Sequence, residues 1–199
     1  MFFSVVKGSE FMNSRWQTIY TIGHGSAPLE SFVEILTYVD AQTLIDIRSN
    51  PNNPDYPYWF HETNLRPVLN DMEIIYHLGG QHLGEREPMH IDRHWGLQTP
   101  DKMAYAHHME SGTFATGIKL LLNLSFRFGT VIMGAPVHPS QCHRSLISDY
   151  LTMQGHRIIH LVEEHGFIEH QPHPTLRRSS QGLIYDQQPS STQTYMPLH

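Results

Sequence analysis

Cys142 is the chain's one cysteine, and it stands directly before His143 and Arg144. A thiol beside an imidazole and a guanidinium has the surroundings that favour thiolate, the nucleophilic form of cysteine. His143 and His24 are the candidate bases. His24 sits between Gly23 and Gly25, where backbone can approach a ligand closely. Arg48 and Arg144 together suit a phosphate or carboxylate, because a guanidinium holds two oxygens in one plane. Asp46 lies two residues before Arg48, so both face the same way on an extended strand. Each residue also has a plain structural alternative. A free cysteine commonly packs as a small buried hydrophobe. His24 also reads as a strand cap. A carboxylate ending an apolar strand is not left alone in the interior, so Asp46 also reads as an ion-pair partner of Arg144 or Arg48.

Other chemistries find less support. A cysteine-phosphatase loop would place Arg six residues after Cys142, and that position is Ser148. His90 and His94 have i, i+4 spacing and His107 and His108 are adjacent, but there is no HExxH and no cysteine pair. That set carries no zinc signature, and no metal site is expected. Tyr56, Tyr58, Trp59 and Phe60 offer aromatic faces for a base or sugar, or a cover for the sheet edge.

The elements that must position these residues follow from periodicity. Residues 130–133 are β-branched or apolar and uncharged, as in a parallel strand covered on both faces. Pro136 and Pro139 break the chain, Ser140 is the expected N-cap, and Leu146, Ile147, Tyr150 and Leu151 form a helical stripe that Gly155 closes. Residues 142–144 thus fall at a helix start, where free N–H groups and the helix dipole favour an anion. Earlier strands are expected at 17–22, 43–47 and 73–78, and a later one at 156–162. Helices are expected at 28–39, where Ser26 is the candidate cap, at 62–70, and as a pair within 102–128 broken near Ser111. Residues 163–170 read as a small hairpin. Residues 79–100 form a long loop rich in glycine and histidine, and loops of that length are uncommon in compact domains unless functional or disordered.

Alternation of strand and helix predicts an α/β fold: a single doubly wound, mostly parallel five-stranded sheet with helices on both faces. An order of 3-2-1-4-5 puts the switch point between residues 23–25 and the loop to Cys142, with Arg48 one strand away. The 199 residues divide into an N-terminal extension over 1–15, one domain over 16–172 and a disordered tail over 173–199, which is rich in Pro, Ser and Gln. Net charge is −6 and pI about 6.2, so no global basic field draws in nucleic acid. No apolar run reaches the length of a membrane span, residues 1–16 lack a signal-peptide pattern, and one cysteine suits a reducing compartment. The expectation is a cytoplasmic protein.

The segments TIGHG with PLESF, then LIDIRSNP, YHLGG, QCHRSL and IIHLVEEHGFIEHQP resemble the domain of unknown function 488 family in order and spacing, over roughly residues 20–172. The resemblance implies an α/β fold and a polar pocket at His24, Asp46, Arg48, Cys142, His143 and Arg144. It also implies a second cysteine followed by an acidic residue at the end of the fourth strand. Here Gly134 and Pro136 stand there, which weakens a dithiol or cysteine-ligated metal. The functional expectation is an enzyme acting on a small anionic substrate, nucleotide-, nucleoside- or base-like. His24 and Cys142 would be catalytic, and Arg48, His143, Arg144 and Asp46 would bind the ligand. The alternative is a non-catalytic module that binds such a ligand or senses a nucleic-acid end. The sequence names no cofactor and leaves the oligomeric state open.

Overall fold

The structure is a computed structural model, and it describes residues 17–125, 129–162, 166–180 and 182–186. Strands β1 (Thr18–Gly23), β2 (Thr43–Asp46), β3 (Ile75–Leu78), β4 (Thr130–Gly134) and β5 (Arg157–Val162) are parallel; β6 (Gly166–Glu169) pairs antiparallel with β5. Between them come α1 (Leu29–Tyr38), α2 (Glu62–Asp71), α3 (Gly80–Leu83), α4 (Pro100–His108), α5 (Gly112–Leu124) and α6 (Arg144–Met153). A two-stranded hairpin of β7 (Leu176–Ser179) and β8 (Gly182–Tyr185) follows.

The sheet order is β3-β2-β4-β1-β5-β6. This corrects the expected order of 3-2-1-4-5 and the expected five strands. Strand β4, every residue of which is buried, takes the slot between β2 and β1. A strand's own residues specify how deeply it is buried, and β1 and β4 are both apolar enough for the centre. Which of two such strands a third one joins is decided by the helices that connect them. The expected switch point is nonetheless present. Strands β1 and β4 are neighbours, and the helices that follow them pack on opposite faces.

One layer joins Leu83, Tyr105, Phe114, Ile118, Leu146, Ile147 and Leu151 of α3–α6 to Ile45, Ile132 and Ile158 of the sheet. The other joins Phe32, Leu36, Leu65 and Leu69 of α1 and α2 to Leu44, Val131, Met133 and Leu161. Side chains alternate along a strand, so Asp46, next to Ile45, belongs with the α1–α2 layer. The helix that carries Arg144 lies on the other.

Two further expectations change. Pro28, not Ser26, occupies the N-cap of α1. The chain past residue 172 is not a loose tail as far as residue 186. It forms the β7–β8 hairpin, and Tyr185 is fully buried in the α3–α6 layer. Its phenol donates to Asp149 Oδ2 at 3.0 Å, and its carbonyl accepts from the Gly96 N–H at 2.8 Å. Pro- and Ser-rich composition hid this, because a single aromatic anchor leaves no periodicity. Residues 1–16 and 187–199, read as extension and tail, lie outside the described residues. Among the described residues no helix is long and apolar enough to cross a membrane.

Candidate functional site

The carboxyl ends of β1, β2 and β4 carry two polar groupings. The first is built on Asp46 and Arg48, both fully buried. Arg48 Nε donates to Asp46 Oδ1 at 2.9 Å and Nη2 to Oδ2 at 2.6 Å; Nη2 also donates to the Phe60 carbonyl at 2.9 Å. Asp46 accepts the Arg48 backbone N–H at 3.0 Å and the Tyr76 hydroxyl. Burial and the Asp46 charge raise the Tyr76 phenol far above its usual range. Arg48 Nη1 lies 3.1 Å from His24 Nε2. Guanidinium only donates, so Nε2 accepts, and Nδ1–H donates to the Gly25 carbonyl at 2.8 Å. The His24 ring stacks on Phe60 with centroids 4.5 Å apart. Burial and the Arg48 charge push the His24 pKa down to about 4, so the ring is neutral.

The second grouping surrounds Cys142. A short turn of 3-10 helix, Pro139–Gln141, precedes it, and His143 is the N-cap of α6. The expected cap, Ser140, lies in that turn instead, and the helix cap falls three residues later, at His143. Cys142 is extended (φ −133°, ψ 146°) and turns its sulfur back under the helix start. The Arg144 N–H points at Sγ from 3.5 Å, and His143 Nδ1 lies 3.9 Å away. Burial pushes the thiol up, but the His143 and Arg144 charges outweigh it and bring the Cys142 pKa down to about 7. Burial lowers His143, and the charges of Cys142 and Glu85 more than reverse this, so its pKa is raised. Glu85 accepts the Ser49 N–H at 2.7 Å. Burial raises its carboxyl, and the nearby His143 and the bonds from Ser49 overcome this to hold it low.

Cys142 and His143 line a cleft of about 110 Å³ with Glu85, Arg86, Lys102 and Tyr105. The His143 ring packs on Tyr105 with centroids 4.7 Å apart. Its Nε2 is buried and has no hydrogen-bond partner among the described residues. A buried imidazole nitrogen without a partner is costly unless a ligand or water completes it.

Arg144 belongs to the frame of this cleft. Its Nη1 donates to the Pro136 carbonyl at 2.5 Å and its Nη2 to the Val137 carbonyl at 2.6 Å. It is 1% exposed, so it staples the β4–α6 loop from inside. Of the two expected partners of Asp46, Arg48 is the one the structure shows and Arg144 is not: Asp46 is held by Arg48 and Tyr76 on the other layer. Gly134 leaves room for the sulfur, since a Cβ there would come within 2.8 Å of Cys142 Sγ.

The structure therefore brings Cys142 and His143, both buried, together in the lining of one cleft. It brings Asp46, Arg48 and His24 together in a separate, filled network. Sequence reasoning missed Glu85, Arg86, Lys102, Tyr105 and Tyr76. The length of the loop over 79–100 was the signal for Glu85 and Arg86; the others had none. His90 and His94 lie in non-helical chain, so their spacing does not align them: His90 is exposed beside Asp92, and His94 is buried near Glu110. Trp59 Nε1 donates to the Ala27 carbonyl at 3.0 Å and Phe60 is buried, as a cover over the sheet would be.

A family model described as "Domain of unknown function DUF488" matches residues 28–151. The match begins after the TIGHG segment and ends within α6. No curated protein and no solved structure matches the chain.

Proposed function

The chain belongs to the domain of unknown function 488 family, and we propose that it is an enzyme that uses Cys142 as a nucleophile on a small anionic substrate. The observation that carries this reading is the buried, unpartnered Nε2 of His143 at a cleft it shares with a thiol of lowered pKa. In such a site Sγ forms a bond to an electrophilic carbon, and the bond to the leaving group breaks. The leaving group takes the electron pair, and its proton comes from His143. The Arg144 N–H and the helix start favour the negative charge on sulfur.

The cleft, about 110 Å³, is of a size that suits a small reacting end. This favours a small anion over a whole nucleotide. His24 is assigned a structural place, since both ring nitrogens are engaged and its pKa is low.

The test is the pH dependence of alkylation by iodoacetamide. In the wild-type protein the rate should rise through a midpoint near pH 7, following the thiol. In His143→Gln the midpoint should move upward, toward the ~8.5 of a free thiol. A wild-type midpoint at the free-thiol value, or a thiol that does not react in the folded protein, would defeat the catalytic reading and favour a module that only binds its ligand.

A further inference from the structure

We propose that Arg86 is the residue that binds the anionic group of the substrate, a carboxylate or a group of similar size, beside Cys142. This rests on the catalytic reading of the cleft and names the partner that reading lacks. The arginines that the sequence marked for an anion, Arg48 and Arg144, are both buried and hold Asp46 or loop carbonyls. Of the cleft's permanently charged basic side chains, Lys102 donates through Nζ to the Ser140 carbonyl at 2.5 Å, and Arg86 is the other.

Arg86 makes no ion pair with a carboxylate among the described residues. Its Nη1 donates to the Glu85 carbonyl at 3.0 Å, and its Nη2 reaches the carbonyls of Gln81 and His82 at 3.4 Å. The fourth contact is the informative one. Nη2 lies 2.9 Å from His108 Nε2, and that same nitrogen lies 2.8 Å from the His82 carbonyl. One imidazole nitrogen cannot serve both. If Nε2 carries the proton and donates to His82, it faces the Arg86 N–H donor to donor. If Nε2 is bare and accepts from Arg86, it faces the His82 oxygen lone pair to lone pair.

The rest of the ring leaves both open, since the Ser111 hydroxyl can accept from Nδ1–H or donate to a bare Nδ1, so the conflict at Nε2 persists in either tautomer while Arg86 stays. Ser111 Oγ accepts the Phe114 N–H as the cap of α5, and its hydroxyl lies 3.2 Å from His108 Nδ1. With Nε2–H on His82, the hydroxyl donates to Nδ1 and every atom of His108 is satisfied once Arg86 has moved away. Arg86 thus holds three carbonyls and one strained contact, and only the contact with His108 improves when the guanidinium swings away. An anion in the cleft supplies the two-oxygen partner a guanidinium favours and removes the conflict at His108 in the same movement.

The test compares two alkylating agents of nearly equal size on the same thiol: iodoacetate, which is anionic, and iodoacetamide, which is neutral. In both, Sγ bonds to the methylene carbon and iodide leaves with the electron pair of the C–I bond. The rate ratio of iodoacetate to iodoacetamide in the wild-type protein should exceed that of free N-acetylcysteine thiolate by about tenfold, from local attraction of the anion. Arg86→Gln should bring the ratio down to the free-thiol value, the fall coming from the iodoacetate rate. Arg86→Lys should recover part of it, and Arg86→Met supplies a second neutral variant should the Gln variant not fold. A ratio unchanged by neutralising Arg86 overturns the proposal. If neither reagent labels Cys142, the catalytic reading has failed separately, and the Arg86 assignment is then decided without the thiol. Acetate titrated into Cys142→Ser should move the ¹⁵N resonances of His108 saturably toward the Nε2–H tautomer, and Arg86→Gln should abolish that response. An unresponsive His108 overturns the assignment.

Discussion

Two polar groupings lie at the same end of one sheet and differ in how completely they are satisfied. Around Asp46, all three guanidinium nitrogens of Arg48 have partners, the carboxylate accepts from Arg48 and Tyr76, and both nitrogens of His24 are engaged. Around Cys142, the sulfur has only long contacts, His143 Nε2 has no partner, and Arg86 competes with a carbonyl for one imidazole nitrogen. Both hold arginine, histidine and a carboxylate. The difference lies in closure. A buried network with every nitrogen partnered fixes a structure; a grouping with unmatched groups beside a cleft is where the proposed ligand would supply the missing partners.

The sharpest way to break that contrast is Asp46→Ala. It leaves Arg48 charged, buried and unpaired, and should cost about 3–5 kcal/mol in urea denaturation. If the folded variant alkylates at Cys142 at the wild-type rate, the networks are independent. A loss below about 1 kcal/mol would mean the Asp46 network is not a closed structural unit.

A somewhat smaller effect is expected from acid. The folded pKa of His24, about 4, lies below the ~6.5 of an unfolded histidine. Between those values the unfolded chain binds the extra proton. The contribution of His24 is therefore fully present above about pH 6.5 and is lost as pH falls toward 4, to a total of about 3 kcal/mol. Denaturation at pH 7.5, 5.5 and 4.5 should show this slope in the wild type and a shallower one in His24→Gln. Equal slopes would mean the ring accepts a proton in place and the network is less closed than its distances show.

The mildest case is a third network, which joins β1 and β5 to Asp149 of α6. Thr21 Oγ lies 2.6 Å from His160 Nδ1, His160 Nε2 lies 2.8 Å from His170 Nδ1, and His170 Nε2 donates to Asp149 Oδ1 at 2.9 Å. Asp149 also accepts from Tyr185 and from the His173 N–H. Tyr185→Phe removes one of several bonds to that carboxylate and keeps the ring buried. It should cost about 1–2 kcal/mol and leave alkylation of Cys142 unchanged. A change in the alkylation midpoint would tie the C-terminal hairpin to the cleft and end the separation between closed and open groupings.

Much of the fold was legible. Strands and helices came out of apolar periodicity because each buries a continuous face, as β4 does with TVIM and α6 with Leu146, Ile147 and Leu151. The pair of helices broken near Ser111 was legible, and the structure shows that Ser111 caps the second of them by accepting the Phe114 N–H. Strand order was not, since two uncharged strands carry no mark of which neighbour each will take. The hairpin at 176–185 was not, since its one anchor, Tyr185, is a single aromatic in polar chain.

For the site, the sequence by itself determined that a cysteine, a histidine and an arginine would meet at the start of a helix after a buried strand. Local spacing is enough for that, because three consecutive residues at a strand–helix junction cannot separate. The tertiary structure alone decided what each would do. Alternation along β2 sent Asp46 and Arg48 to one layer while α6 packed on the other, so the two arginines that looked like a pair never met. Arg144 turned inward because the β4–α6 loop presents two carbonyls that need donors. Glu85 and Arg86 reached the cleft that Cys142 lines from a loop more than fifty residues earlier in the chain. No local pattern records such an approach, since it depends on how α3, α4 and α6 pack on one face of the sheet.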